Sequence, residues 1–265
     1  MTLADTTLEF AALARAKSVS LAANPLGFFV ASMMAGAYVG IGILLIFSVG
    51  QHVDPSVRNL VMGCSFGIAL TLVIFAGSEL FTGHAMYMTL GLLAGATSLA
   101  DLVRSWTTTW IGNLIGCIAL GALFVAGGGG HILADGPSLL HAVAVKKMTA
   151  PAAELVARAM LCNWLVCLAL WTSARTTNDA AKCIMIFWCL FAFIASGYEH
   201  SVANMTIFAV ALLSDHPDAV TLSGALWNLG WVTLGNVLSG VVLMGIGYWL
   251  VSGRPRLPSA PDFGN

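Results

Sequence analysis

In the stretch IASGYEHSVANM, Glu199 and His200 are the only acid and the only imidazole between Cys183 and Leu213, and they are adjacent. An imidazole titrates close to neutrality, so His200 can donate or accept a proton under physiological conditions. A monovalent anion moving into an apolar constriction meets a large desolvation cost. A histidine there lowers that cost by staying protonated, or by handing over its proton so that a neutral acid crosses. The plain alternative is a neutral core ring satisfied by a threonine or asparagine. An ionisable group in the middle of a membrane-length apolar run favours the functional reading.

A second stretch resembles the first. GSELFTGHAM (77–86) echoes GYEHSVANM (197–205), with Gly77 and Gly197, and likewise Glu79 and Glu199, 120 residues apart. Further on, Gly112-Asn113 and Gly235-Asn236 repeat at an offset of 123. The chain holds only four glutamates, so two at equivalent places argue for an internal repeat. That repetition suits architecture: Glu79 and Glu199 are expected to accept backbone N–H groups where the helices are interrupted. Thr82 and Ser201 read as N-caps of the helices that follow. Two half-helices starting there would aim their positive ends at a shared centre, a ready site for an anion. His84 reads as a residue of the helix start or of a packing interface. His52, His131, His141 and His216 read as solvated surface.

The scaffold that must hold these residues is a membrane one. Of 265 residues 58% are hydrophobic and 9% charged, with a mean hydropathy of +0.89, against roughly 25% charged in a soluble domain. At about 20 apolar residues per crossing, six segments are expected: 26–50, 57–95, 102–126, 152–175, 181–213 and 221–251. Asn24-Pro25 is a helix-start signal for the first. The second and fifth are too long for one straight pass, and each contains one of the polar interruptions. Three segments per repeat (25–126 and 152–251) give the halves opposite orientations. Interrupted helices in such inverted repeats mark transporters and channels, and interrupted backbone is tolerated only where it is buried in protein or lines a cavity. Residues 1–24 read as an amphipathic helix on the membrane surface with Arg15 and Lys17 snorkelling, and 252–265 as a disordered tail. Seven basic residues (Arg15, Lys17, Arg104, Arg175, Lys182, Arg254, Arg256) against three (Arg58, Lys146, Lys147) favour both termini in the cytoplasm.

The net charge of −1 leaves no basic patch for nucleic acid. The six cysteines sit in apolar segments without a C-x-x-C pair and read as small buried hydrophobes, so neither a zinc site nor any other cofactor is expected. An intramembrane hydrolase would need a nucleophile elbow or an H-E-x-x-H helix, and neither occurs. A pore for water or another neutral solute would need no titratable group at its centre.

With GSELFTGH, CNWLVCLALW and ASGYEHSVANM assembled, the chain resembles the formate/nitrite transporter family from NPLGFFVASMMAGAYVGIG to GNVLSGVVLMGIGYW. Its wording is most like the bacterial nitrite channel branch. That resemblance implies an all-α, aquaporin-like fold of six segments in the bacterial cytoplasmic membrane, assembled as a homopentamer with one pore per protomer. It implies passage of nitrite, with formate or hydrosulfide as alternatives, and exchange of protons. Within it, His200 matches the central histidine, Thr82 the threonine facing it, and Asn163 and Asn204 two pathway asparagines. Lys147 matches the lysine at the pore mouth, with Lys146 beside it as the alternative; such a charge draws anions toward the opening. Phe66, Leu70, Leu80, Phe81 and Phe193 match the apolar constrictions, which exclude water and larger ions.

Overall fold

The computed structural model describes residues 2–134 and 138–257, all of them helix, turn or loop, with no strand among the described residues. Its helices are α1 (Leu3–Ala23), α2 (Pro25–Gly50), α3 (Pro55–Ser65), α4 (Ile68–Phe75), α5 (Phe81–Leu93), α6 (Leu99–Ala126) and α7 (Gly130–Leu133). They are followed by α8 (Leu139–Met148), α9 (Ala152–Ala174), α10 (Asp179–Ala195), α11 (Ser201–Leu213) and α12 (Leu222–Leu238), then a π-helical stretch (Ser239–Ile246) and α13 (Gly247–Val251). Local chemistry sets several starts. Asn24 Oδ1 accepts from Gly27 N ahead of α2, and Ser98 forms a reciprocal capping box with Asp101 at α6. Asp54, followed by Pro55, caps α3, and its two bonds from Ser56 hold the carboxyl below its ordinary range.

Among the described residues five stretches are long and apolar enough to cross a membrane: Pro25–Gly50, Pro55–Phe75, Leu99–Ala126, Ala152–Ala174 and Leu222–Val251. The predicted segment 181–213 divides into α10 and α11, each too short on its own for that measure. The predicted segment 57–95 is interrupted twice, at Phe66-Gly67 as well as around Gly77. Exposed apolar side chains such as Leu26, Ile111, Ile115, Trp188 and Leu226 cover the outside, as a lipid-facing or subunit-facing surface requires.

The two halves repeat one set of hydrogen bonds. Gly77 and Gly197 turn the chain with φ of 71° and 70°, a conformation that only glycine adopts without strain. Glu79 N donates to Ala31 O, and Glu199 N to Arg158 O. The side chain of Asn113 accepts from Phe81 N and donates to Ser32 O and Glu79 O; that of Asn236 accepts from Ser201 N and donates to Ala159 O and Glu199 O. Each buried amide thus stitches an interruption to the helix beside it. Close approach permits this: a Cβ on Gly116 would lie 1.9 Å from Met33 O, and one on Gly36 2.1 Å from Asn113 O, so α2 and α6 touch backbone to backbone.

The first helix packs on α5, burying Phe10, Ala11 and Ala14, and Phe10 stacks on Tyr87 and Trp171. Three expectations change here. Lys17 does not snorkel; it reaches Glu79, while Arg15 Nε donates to Ala96 O. The tail begins ordered, since Leu257 N donates to Ala94 O and Ser252 Oγ lies 2.7 Å from Thr7 Oγ1; its remainder, 258–265, lies outside the described residues. Of the cysteines, Cys64 is exposed and Cys183 half-buried, and only the other four are buried.

Candidate functional site

His200 is the N-cap of α11, and its ring does the capping: Nδ1 accepts from Ala203 N at 3.2 Å. That bond fixes the tautomer, because a nitrogen that accepts cannot carry the proton. The proton sits on Nε2 and is aimed at Thr82 Oγ1, 3.3 Å away on α5. Thr82 and Ser201 are therefore not the caps expected of them. Thr82 is the second residue of α5, after an N-cap Leu80 without a side-chain bond, and Ser201 is the first residue of α11. The two helix starts still converge, joined by the imidazole and the hydroxyl.

Beside the His200 ring lies a small chamber of about 10 Å³, bounded by Phe66, Leu70, Leu80, Phe193 and His200 among others; Thr82 does not line it. One water fills a space of that order, so nothing larger passes without side-chain movement. Phe193 stacks on His200 with ring centroids 5.9 Å apart, and Phe66 meets Phe193 edge-on at 5.4 Å. On this side Phe193 and His200 also line an outer cavity of about 470 Å³, together with Arg58, Lys146, Lys147, Arg158, Glu199 and Asn204. On the other side Leu70 and Leu80 also line a second cavity, of about 370 Å³, with Lys17, Glu79, His84, Tyr87 and Lys182. Two wide mouths, each lined by charged as well as apolar side chains, thus meet at one narrow apolar waist that holds the histidine.

Each mouth carries a lysine–glutamate pair. Lys147 Nζ donates to Glu199 Oε2 at 2.8 Å, and Lys17 Nζ donates to Glu79 Oε2. Between the two adjacent lysines, it is Lys147 that bonds at the mouth; Lys146 lines the same cavity. The expectation that these carboxylates accept backbone N–H groups is corrected. Glu199 Oε2 accepts from Lys147 and from Asn204 Nδ2 (2.6 Å), and Glu79 Oε2 from Lys17 and His84 (2.7 Å). The backbone of the interruptions is satisfied by Asn113 and Asn236 instead, which the sequence signalled only as a repeated Gly-Asn.

The remaining expected residues fall into two groups. Asn204 lines the first cavity and bonds Asn228 as well as Glu199. Asn163 lines none of the three cavities; its amide donates to Thr82 O and Asn236 O, so it holds the backbone behind the threonine. Phe81 is buried at the first turn of α5 and also lines none of the three. His84 is buried against Glu79 and Ser105, and His141 is buried too, where solvated surface was expected. In the connection between α7 and α9, burial pushes the His141 imidazole below its ordinary range, and His216 adds to this. Among the described residues no cluster of His, Cys, Asp or Glu could hold a metal ion.

Comparison with known proteins places this arrangement. The family model described as formate/nitrite transporter matches residues 6–250. The chain is 56% identical over 255 residues to the nitrite transporter NirC of Salmonella typhimurium, covering 96% of this chain and 94% of that one. It is 54% identical over 259 residues to NirC of Escherichia coli, covering 98% and 96%. Among solved structures it is similar to an FNT family ion channel (TM-score 0.90, 56% identity, 93% of this chain and 98% of the other). It is also similar to a pentameric formate channel with formate bound (TM-score 0.74, 29% identity, 85% and 96%). On the match from residue 6 to 250 and on these identities, the chain belongs to the formate/nitrite transporter family.

Proposed function

We propose that this protein is a membrane channel or transporter for small monovalent anions, with nitrite as its main substrate, and not an enzyme. The nitrite transporters at 54–56% identity support the substrate; formate is the second reading, supported by the formate-bound structural neighbour. The observation that carries the reading is the waist at His200, flanked by two mouths that each contain a lysine.

In this reading an anion collects in a lysine-bearing mouth, where positive potential raises its local concentration. It then sheds water between Phe193 and Phe66 on one side, or between Leu70 and Leu80 on the other. At the waist the Nε2–H of His200 and the hydroxyl of Thr82 replace the lost hydration, and the imidazole exchanges a proton with the passing species by giving up the bond that Nδ1 accepts from Ala203 N. Asn163 holds Thr82 in place, Asn204 holds Glu199, and Phe81 anchors the start of α5 beside the waist. The fold is read as six segments, 25–251, in an aquaporin-like inverted repeat, with 1–24 as an added N-terminal helix and five copies per assembly. The membrane is the bacterial cytoplasmic one, with both termini inside; hydrosulfide is a further small anion that the same waist fits.

The test is uptake into proteoliposomes of nitrite, formate and chloride at several pH values. Nitrite is expected to pass fastest and chloride slowest. His200→Asn is expected to insert and assemble but to lose most pH-dependent nitrite flux; an unchanged rate and pH profile would remove His200 from the mechanism.

A further inference from the structure

The two mouths differ at one position. Counted from its carboxylate, His84 follows Glu79 by five residues, as Asn204 follows Glu199, and each donates to that carboxylate. One mouth therefore has a titratable ring where the other has an amide. His84 is 1% exposed yet lines the 370 Å³ cavity, with Nε2 2.7 Å from Glu79 Oε2 and Nδ1 2.7 Å from Ser105 Oγ.

That last partner matters. A hydroxyl is both donor and acceptor and rotates between the two roles. With one proton on the ring, Nε2–H donates to Glu79 and the Ser105 hydroxyl donates to Nδ1. With a second proton, Nδ1–H donates to the same oxygen, and no hydrogen bond is lost. His200 has no such freedom, since its Nδ1 accepts from a backbone N–H that cannot reverse. Of the two imidazoles along the passage, His84 is the one whose partners accommodate both states.

The ionisable groups facing His84 are Glu79, Lys17 on α1 and Tyr87 on α5, with Lys182 on α10 lining the same cavity and Cys167 on α9 near Tyr87; α2 and α6 present Phe28 and Ser105. Lys182 is already paired with Asp179. With the ring neutral, Lys17 and Glu79 cancel; a proton on the ring leaves the cluster with one positive charge. We propose that His84 makes the α1 mouth a proton-tuned binding site for small anions such as nitrite, so that acidifying that face alone accelerates uptake. The proposal rests on the anion-channel reading above and adds sidedness to it.

Right-side-out and inverted membrane vesicles present opposite mouths to the bath, so nitrite uptake is measured in both while the bath is taken from about pH 8 to about pH 5, through and below the ordinary imidazole range. Wild-type uptake is expected to rise roughly threefold or more in the orientation that exposes the α1 mouth, and less in the other. His84→Asn keeps a donor to Glu79, as Asn204 does for Glu199, and is expected to erase the difference between orientations. Ser105→Ala, which removes the reversible partner, is expected to weaken it, and Asn204→His to create a response at the opposite face. If His84→Asn keeps the wild-type asymmetry, the ring only holds Glu79 and the proposal falls. Wild-type vesicles equally sensitive on both faces would also overturn it with the channel reading intact, whereas vesicles that pass no nitrite would overturn both.

Discussion

Lys147 is the counter-ion of Glu199 and, in the proposed reading, a source of potential as well; the two roles are separable. Its partner Glu199 is buried, so removing the lysine alone leaves an uncompensated carboxylate, a change that typically costs about 3–5 kcal/mol. Lys147→Ala is therefore expected to lower both the melting temperature in detergent and nitrite uptake. Pairing it with Glu199→Gln is expected to restore melting but not uptake at low ionic strength. The remaining deficit should shrink as salt rises, since a Debye length falls from about 30 Å at 0.01 M to about 10 Å at 0.1 M. Lys146→Ala, with no carboxylate to strand, should leave melting unchanged and reduce uptake less. A full recovery of low-salt uptake in the double variant would show that Lys147 acts only by neutralising Glu199. At this scale the sequence was generous with residue types and poor in partners. His200, Glu199 and Glu79 stood out because ionisable groups are rare in apolar runs. That the glutamates would be held by side chains from α1 and α8 depends on contacts 62 and 52 residues away, which no local pattern carries.

Between the helices, the two interruptions survive because Asn113 and Asn236 supply what a continuous helix would otherwise supply. Each fully buried amide makes three hydrogen bonds, and an unsatisfied buried polar group costs about 1–3 kcal/mol. Asn236→Ala is expected to lose about 3 kcal/mol or more, seen as a lowered melting temperature, and to displace His200 because Ser201 N loses its partner. Asn113→Ala should lower melting by a similar amount while acting on the Thr82 side. Near-wild-type melting in both would mean that other groups satisfy the interruptions. The positions of these elements were legible: Asn24-Pro25 marks the start of α2, and the glycines at 77 and 197 mark the turns. Two features were not. The break at Phe66-Gly67 has no proline or polar run to announce it, and the docking of α1 depends on Phe10 meeting Tyr87 and Trp171, aromatic residues far along the chain.

For the whole molecule, the exposed apolar surface and the pentameric neighbour lead to an expected mass of five copies by native mass spectrometry in mild detergent. Because each waist is built from residues of one chain, the copies are expected to conduct independently. Mixing wild type with His200→Asn should then lower nitrite flux in proportion to the fraction of variant; a steeper fall would mean that the pores are coupled.

The bond between Thr7 and Ser252 brings the first and last described helices within touching distance on one face of the protein. A flexible tether that spans the spacing between neighbours can therefore join one copy to the next in a single gene, in a fixed sequence, without threading across the bilayer. Chains of five joined copies carrying one, two or three defective members would make that proportionality countable molecule by molecule.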